Sequence, residues 1–215
     1  MTAIKLNRLV RRVGIVAGIF GVTLLSWLLH RSLLTAAPTG PAMTSVYQFG
    51  GTPSRNMVNT TATGIPAEID PENASQLKWK VDLGSRAYGG PTIGDGKVFV
   101  GTNNERPRNP RDRKNDEPID KGIVMCFDEA TGKFLWQAVH DKLPSGQVHD
   151  WPKEGVCSTP AVEGNRLYYV TNRCTVICVD TNGFSDGNQG ITTEEYQTPT
   201  DADVIWELDM MKDLN

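Results

Sequence analysis

The chain has 215 residues, of which 39% are hydrophobic and 22% charged. That balance excludes a disordered tail and a polytopic membrane protein. A net charge of −3 lacks the basic excess of a nucleic-acid binder, so no nucleic-acid partner is expected. The charge is unevenly spread. The first 31 residues hold five basic and no acidic residues, leaving 17 basic against 25 acidic residues in the remainder. A basic head on an acidic body predicts a targeting or membrane segment ahead of an exported domain.

Residues 1–12 form a basic segment expected to stay in the cytoplasm. Residues 13–30 follow as a transmembrane helix or signal anchor. The stretch 13–29, VGIVAGIFGVTLLSWLL, has 17 residues without a charge, close to the lower limit for spanning a bilayer. Arg11 and Arg12 before it orient the helix by the positive-inside rule, and Trp27 suits the far interface. A signal peptide cut near Thr35-Ala36-Ala37 is the competing reading. Either one places the body on the periplasmic side, tied to the cell membrane in the first case. Residues 31–45 carry small residues, Pro and Gly, and read as a linker.

From residue 46 on, short β-rich runs are separated by Gly, Asn, Asp and Pro. The runs repeat. PTIGDGKVFVGT (91–102) parallels PAVEGNRLYYVT (160–171), and each holds a tight turn, Asp95-Gly96 or Gly164-Asn165, able to take positive φ. VMCFDEATG (124–132) parallels VICVDTNG (176–183). Trp79, Trp136 and Trp206 each follow a turn on a short run. Each unit therefore orders four antiparallel strands: A (PTI), B (KVFVGT), C (GIVMCFD) and D (KFLWQAV). Four strands recurring with a period of tens of residues predict an all-β fold, a partial β-propeller of about two complete blades plus an extra strand at Trp79. Propellers typically have 4–8 blades, so the sequence reads as the N-terminal arc of a larger ring.

Asp128-Glu129-Ala130-Thr131-Gly132-Lys133-Phe134-Leu135-Trp136 resembles the D-x-x-T-G-K-x-x-W tryptophan-docking motif of quinoprotein (PQQ-type) propeller repeats. This family includes quinoprotein alcohol dehydrogenases and BamB-like outer-membrane assembly propellers. The opening YQFGGTPSRN (47–56) is similar to the segment that begins such domains in exported bacterial proteins. The resemblance covers residues 46–215. It implies that Asp128, Thr131, Gly132 and Trp136 are structural blade-docking residues, with the Thr131-Gly132 turn beneath Trp136. In the second unit about twenty extra residues separate Asp180-Thr181-Asn182-Gly183 from Trp206, which predicts a distorted docking turn.

The A-to-D order places D–A and B–C loops on one face and A–B and C–D loops on the other. The resemblance implies that ligands bind the D–A/B–C face near the axis. That face receives the B–C insert Asn103–Lys121, with six basic and five acidic residues, read either as a solvated mobile loop or as a lid or partner contact. It also receives Arg86, Tyr88, His149, Asp150 and Trp151, the candidate ligand or partner site. The pairs His140-Asp141 and His149-Asp150 match base–orienter chemistry or metal ligation, but lack a third close ligand. No metal site and no catalytic residue is assigned. The C–D insert 182–203 is expected on the opposite face; its Asp186-Gly187-Asn188 lacks the calcium-loop spacing. Cys126 and Cys178 occupy equivalent C-strand positions as buried small hydrophobes. An exported compartment permits a Cys157–Cys174 disulfide, although two intervening strand spacings oppose it.

Two functions follow. The first is a membrane-anchored, exported PQQ-like propeller acting as a non-catalytic binding or assembly scaffold, with the membrane as one partner and proteins at its loops as others. The second is a fragment of a PQQ-dependent dehydrogenase, for which PQQ is implied by the resemblance alone. The matching motifs are structural, which favours the first.

Overall fold

The computed structural model describes residues 46–58, 63–64 and 66–214. The expected segments 1–12, 13–30 and 31–45 lie outside them. Among the described residues, no helix is long and apolar enough to cross a membrane.

The first blade begins with β1 (Thr92–Gly94) and β2 (Lys97–Asn103), joined by the Asp95-Gly96 turn with φ of 54° and 68°. A small hairpin, β3 (Arg113–Lys114) and β4 (Glu117–Pro118), interrupts the B–C connection. β5 (Lys121–Asp128) and β6 (Phe134–Asp141) complete the blade, in the sheet order β1-β2-β5-β6. The second blade has β7 (Ala161–Glu163), β8 (Arg166–Val170), β9 (Thr175–Asp180) and β10 (Val204–Asp209), adjacent in that order, followed by the one-turn helix α1 (Met210–Asp213). Both sheets are antiparallel throughout. The eight strands fall where the repeat predicts them. Asn115 and Asp116, at φ of 52° and 65°, close the β3–β4 turn.

Strands β2 and β5 are apolar on both faces because both faces are covered. One face of the first blade presents Val98, Val100, Ile123, Met125 and Phe127. The other presents Phe99, Val124, Cys126, Trp136 and Ala138, which merge with Val162, Leu167, Tyr169, Ile177 and Val179 of the second blade into one core. Continuous apolar runs are the mark of strands buried on two sides.

The expected extra strand at Trp79 is not one. Residues 77–83 are extended without a β ladder. Trp79, Val81 and Leu83 instead alternate inward onto the first face, while Arg106 and Arg108 bond Asp82 on the outer side of the strap. The inner edge is extended by Val46, which exchanges two 2.9 Å backbone hydrogen bonds with Ile93, while the Val162 N–H donates to the Tyr47 carbonyl (2.7 Å).

The docking tryptophans reach forward to the next unit. The Trp79 indole N–H donates to the Glu129 carbonyl (2.8 Å), and a Cβ on Gly132 would lie 2.7 Å from the Trp79 ring. The Trp136 N–H donates to the Thr181 carbonyl (3.0 Å), and a Cβ on Gly183 would lie 2.9 Å from its ring. Thr131-Gly132 therefore lies beneath Trp79, and Thr181–Gly183 lies beneath Trp136. Each indole takes the carbonyl one residue after the turn aspartate. The second turn is a residue shorter, yet it makes the same contact, because its extra chain leaves only after Gly183. Asp128 shapes the first turn by accepting from the Thr131 N–H (2.8 Å) and hydroxyl (2.6 Å). Those bonds hold its carboxyl below the usual range.

Candidate functional site

Three loops meet on one face: residues 84–91, the insert between β2 and β5, and residues 142–160. Two side chains at the end of β2 hold them together. The buried Thr102 hydroxyl accepts from the Gly84 N–H (3.0 Å) and donates to the Arg86 carbonyl (2.7 Å). Buried Asn103 accepts from the Ser85 N–H (2.9 Å) and donates to the Ser85 hydroxyl (3.0 Å) and the Lys153 carbonyl. The Lys153 N–H in turn donates to Asp120 (2.9 Å). The strand order thus delivers D–A and B–C loops to a common face, as expected.

The structure joins two of the five candidate residues. Arg86 forms an ion pair with Glu154, and the Tyr88 hydroxyl bonds the same carboxylate, which raises the phenol above its ordinary pKa. Asp150 is turned inward. It is 5% exposed and accepts from the Lys142 ammonium, the Leu143 N–H (2.9 Å) and the Asn172 amide (2.8 Å). It organises its loop from within. Trp151 and Tyr88 project into solvent, 63% and 61% exposed. His149 is also exposed and shares no hydrogen bond with the other four among the described residues.

A second polar centre lies outward, where the B–C insert meets the C–D insert of the second blade. Arg111 forms a two-pronged ion pair with Asp201, and its guanidinium sits 3.7 Å above the Tyr196 ring. Fully buried Asp112 accepts from the Gln137 amide (3.0 Å) and lies 3.7 Å from Lys121, which pairs with Asp141 at 3.2 Å. Burial raises the Asp112 carboxyl against the pull of Lys121 and Arg111. Burial also opposes ionisation of Asp201, but its bonds to Arg111 and Thr198 outweigh that and lower its pKa. The insert beyond Asn103 is therefore ordered at its root.

The C–D insert is not confined to the opposite face. It runs along the outer edge of β6, where Gln137 bridges in parallel to Asp201. The Gln137 N–H donates to the Thr200 carbonyl, and the Ala202 N–H donates to the Gln137 carbonyl, both at 3.0 Å. This closes a groove of about 450 Å³ between the outer strands of the two blades, lined by Arg111, Lys121, His140, Arg173, Glu194 and Tyr196 among others.

His140 bonds the buried Tyr169 hydroxyl (2.9 Å). Burial, with help from Arg173 and against Asp141, lowers its pKa to about 4, so it is neutral at physiological pH. It is half-buried in the wall of the groove, held against Tyr169. The four cysteines are free thiols, so the Cys157–Cys174 bridge is not formed; Cys126 and Cys178 are buried as expected. Asp203 is buried and accepts from the Gln189 N–H (2.9 Å). Burial raises its pKa to about 6, with Glu194, Asp180 and Asp186 pushing the same way.

These two groups predict opposite pH effects. Below its ordinary value near 6.5, His140 takes up a proton in the unfolded chain before the folded one. It therefore costs stability as pH falls towards 4. Asp203 holds a proton in the fold that the unfolded chain releases, so it favours folding as pH falls below about 6. Melting curves of His140→Gln are expected to lose part of the acid destabilisation. Asp203→Asn is expected to melt higher at pH 8 and to show no gain near pH 4.

Residues 120–187 match the family model described as outer membrane protein assembly factor BamB, a PQQ-type repeat family. The matched segment runs from the C strand of the first blade through the docking turn of the second. Over this stretch, which holds β5 to β9, the chain is similar to PQQ-like propeller repeats. No curated protein matches the chain significantly.

Sequence reading missed Thr102, Asn103, Glu154, Asp112 and Gln137. Only the Asn115-Asp116 pair offered a local signal, a two-residue hairpin turn inside the insert.

Proposed function

We propose that this chain is a membrane-anchored, exported propeller protein that acts as a non-catalytic scaffold, binding protein partners through its D–A/B–C loop face. The observation that carries this reading is the pair Tyr88 and Trp151. Both aromatics stand exposed on loops held rigidly from below, and Tyr, Trp and Arg are the residue types that dominate protein-binding hot spots. The match to a family described as an assembly factor points the same way.

A PQQ dehydrogenase needs carboxylates and amides free to reach a cofactor and its metal. On this face Asp150 is held by three internal donors and Glu154 by Arg86 and Tyr88. No group of three His, Cys, Asp or Glu among the described residues is arranged around a cation position. On these loops the carboxylates already have protein partners, which favours the scaffold reading over the dehydrogenase one.

The test is to supply detergent-solubilised full chain with PQQ and calcium and to follow dye reduction across a panel of alcohols and sugars. No turnover is expected. Cofactor-dependent turnover would replace the scaffold reading with the dehydrogenase one. In cells, the protein is expected to resist carbonate extraction. Recovery of a soluble form beginning near residue 37 would identify a cleaved signal peptide instead.

A further inference from the structure

We propose that the groove between the outer strands of the two blades binds a small zwitterion, a free amino acid or short peptide, with its carboxylate on Arg173 and its ammonium on Glu207. The groove holds about 450 Å³, within the range of small-molecule sites, about 300–1,000 Å³. Both of its walls are built inside the chain, from β6 on one side and from β9 and β10 on the other. Neither Tyr88 nor Trp151 belongs to them, so the site is separate from the loop face read as the partner surface.

Charge defines the ligand. Four basic and six acidic side chains line the groove, and eight of these ten are satisfied within the fold. Arg111 pairs with Asp201, Lys121 with Asp141 and Lys212 with Asp209. Glu194 accepts from the Val204 N–H (3.2 Å), and Glu195 bonds the Tyr196 hydroxyl. Only Arg173 and Glu207 have no side-chain partner among the described residues, and no ion pair joins them to each other. Both stand on fixed backbone. The Thr171 hydroxyl accepts from the Arg173 N–H (3.2 Å) and the Thr175 N–H (3.3 Å), and the Thr171 N–H donates to the Thr175 carbonyl (2.9 Å). Cys174, at φ of 58°, gives its carbonyl to the Met210 N–H (3.1 Å), which ties this turn to the end of β10. Glu207 lies in β10 opposite Ile177 of β9. A simple anion is repelled by Glu207 and the two other glutamates, and a simple cation is repelled by Arg173. A molecule carrying both charges matches both groups. The guanidinium fork takes a carboxylate in two parallel N–H···O bonds, and the glutamate accepts from an ammonium. Fixed partners lose little entropy on binding.

The test is isothermal titration calorimetry of the detergent-solubilised full chain with L-alanine, dialanine and trialanine, and with the N-acetyl and C-terminal amide forms of each. The free zwitterions are expected to bind, the best-fitting length most tightly. Capping either end is expected to weaken binding about tenfold or more, the loss of one charge-assisted hydrogen bond. Arg173→Gln is expected to erase the difference between the free peptide and its amide, and Glu207→Gln the difference between the free peptide and its N-acetyl form. Both changes fall on side chains without internal partners, so the fold should survive, as circular dichroism will check. Trp151→Ala, on the loop face, is expected to leave the affinity unchanged; a loss there would move the ligand out of the groove and overturn the proposal. Absence of binding by all three free probes overturns it as well. So do capped forms that bind as tightly as free ones, or a preference for free ends that persists in Arg173→Gln and Glu207→Gln.

Discussion

Trp136→Ala is expected to destabilise the blade pair by about 3–5 kcal/mol, the range for deleting a large aromatic from a core. The indole is 1% exposed, leans on Phe99 at a centroid distance of 5.9 Å and donates to Thr181 across the blade interface. Alanine leaves both a cavity and a backbone acceptor without its partner. The paired control is Trp206→Ala. Its ring holds the same register position but stands partly in solvent, so the change should stay within about 1 kcal/mol. Denaturant midpoints of the two variants decide the matter. Equal losses would mean that position within a blade, rather than cover by the next blade, sets the contribution of these tryptophans.

The second large effect is expected at Asp150. Its carboxylate satisfies an ammonium, a backbone N–H and a side-chain amide in the loop between β6 and β7. Removing one partner of a buried charge pair leaves the other uncompensated, which typically costs about 3–5 kcal/mol. Asp150→Ala should lower the melting temperature sharply and expose residues 142–160 to protease. Asp150→Asn keeps an acceptor for Leu143 and should fall between. Unchanged stability in Asp150→Ala would return this residue to the pool of ligand-facing groups.

Local pattern carried the strands. Alternation, tight turns and the spacing of Trp136 from Asp128 are properties of short windows, and all eight blade strands follow from them. What those windows could not carry was partnership across the interface. Trp136 meets a turn 45 residues further on, and nothing beside Asp128–Gly132 says that this turn serves Trp79. The site shows the same divide. Arg86 and Tyr88 read as an exposed pair, but the Glu154 that joins them lies 68 residues from Arg86. His149-Asp150 reads as a base and its orienter because the two are neighbours. Their side chains part because Lys142 and Asn172 draw the carboxylate inward while the imidazole stays outside. The extra residues between Gly183 and Trp206 suggested damage to the docking turn, whereas the chain leaves after Gly183 and its last part, residues 200–202, pairs with Gln137 of β6.

That path along β6 alters how the two blades share their fate. In a linear array each unit contacts its neighbour only face to face, and an end unit can fray while the rest persists. Here residues 200–202 of the second blade's connection are stitched to Gln137 by main-chain bonds on the outer strand of the first, and Arg111 clamps Asp201 beside them. Peeling β10 away therefore drags on the edge of the preceding sheet, and loosening β6 releases the chain that feeds β10. The pair is cross-linked without a covalent bond. Its outer edges open together, as one cooperative segment of the protein rather than two stacked ones.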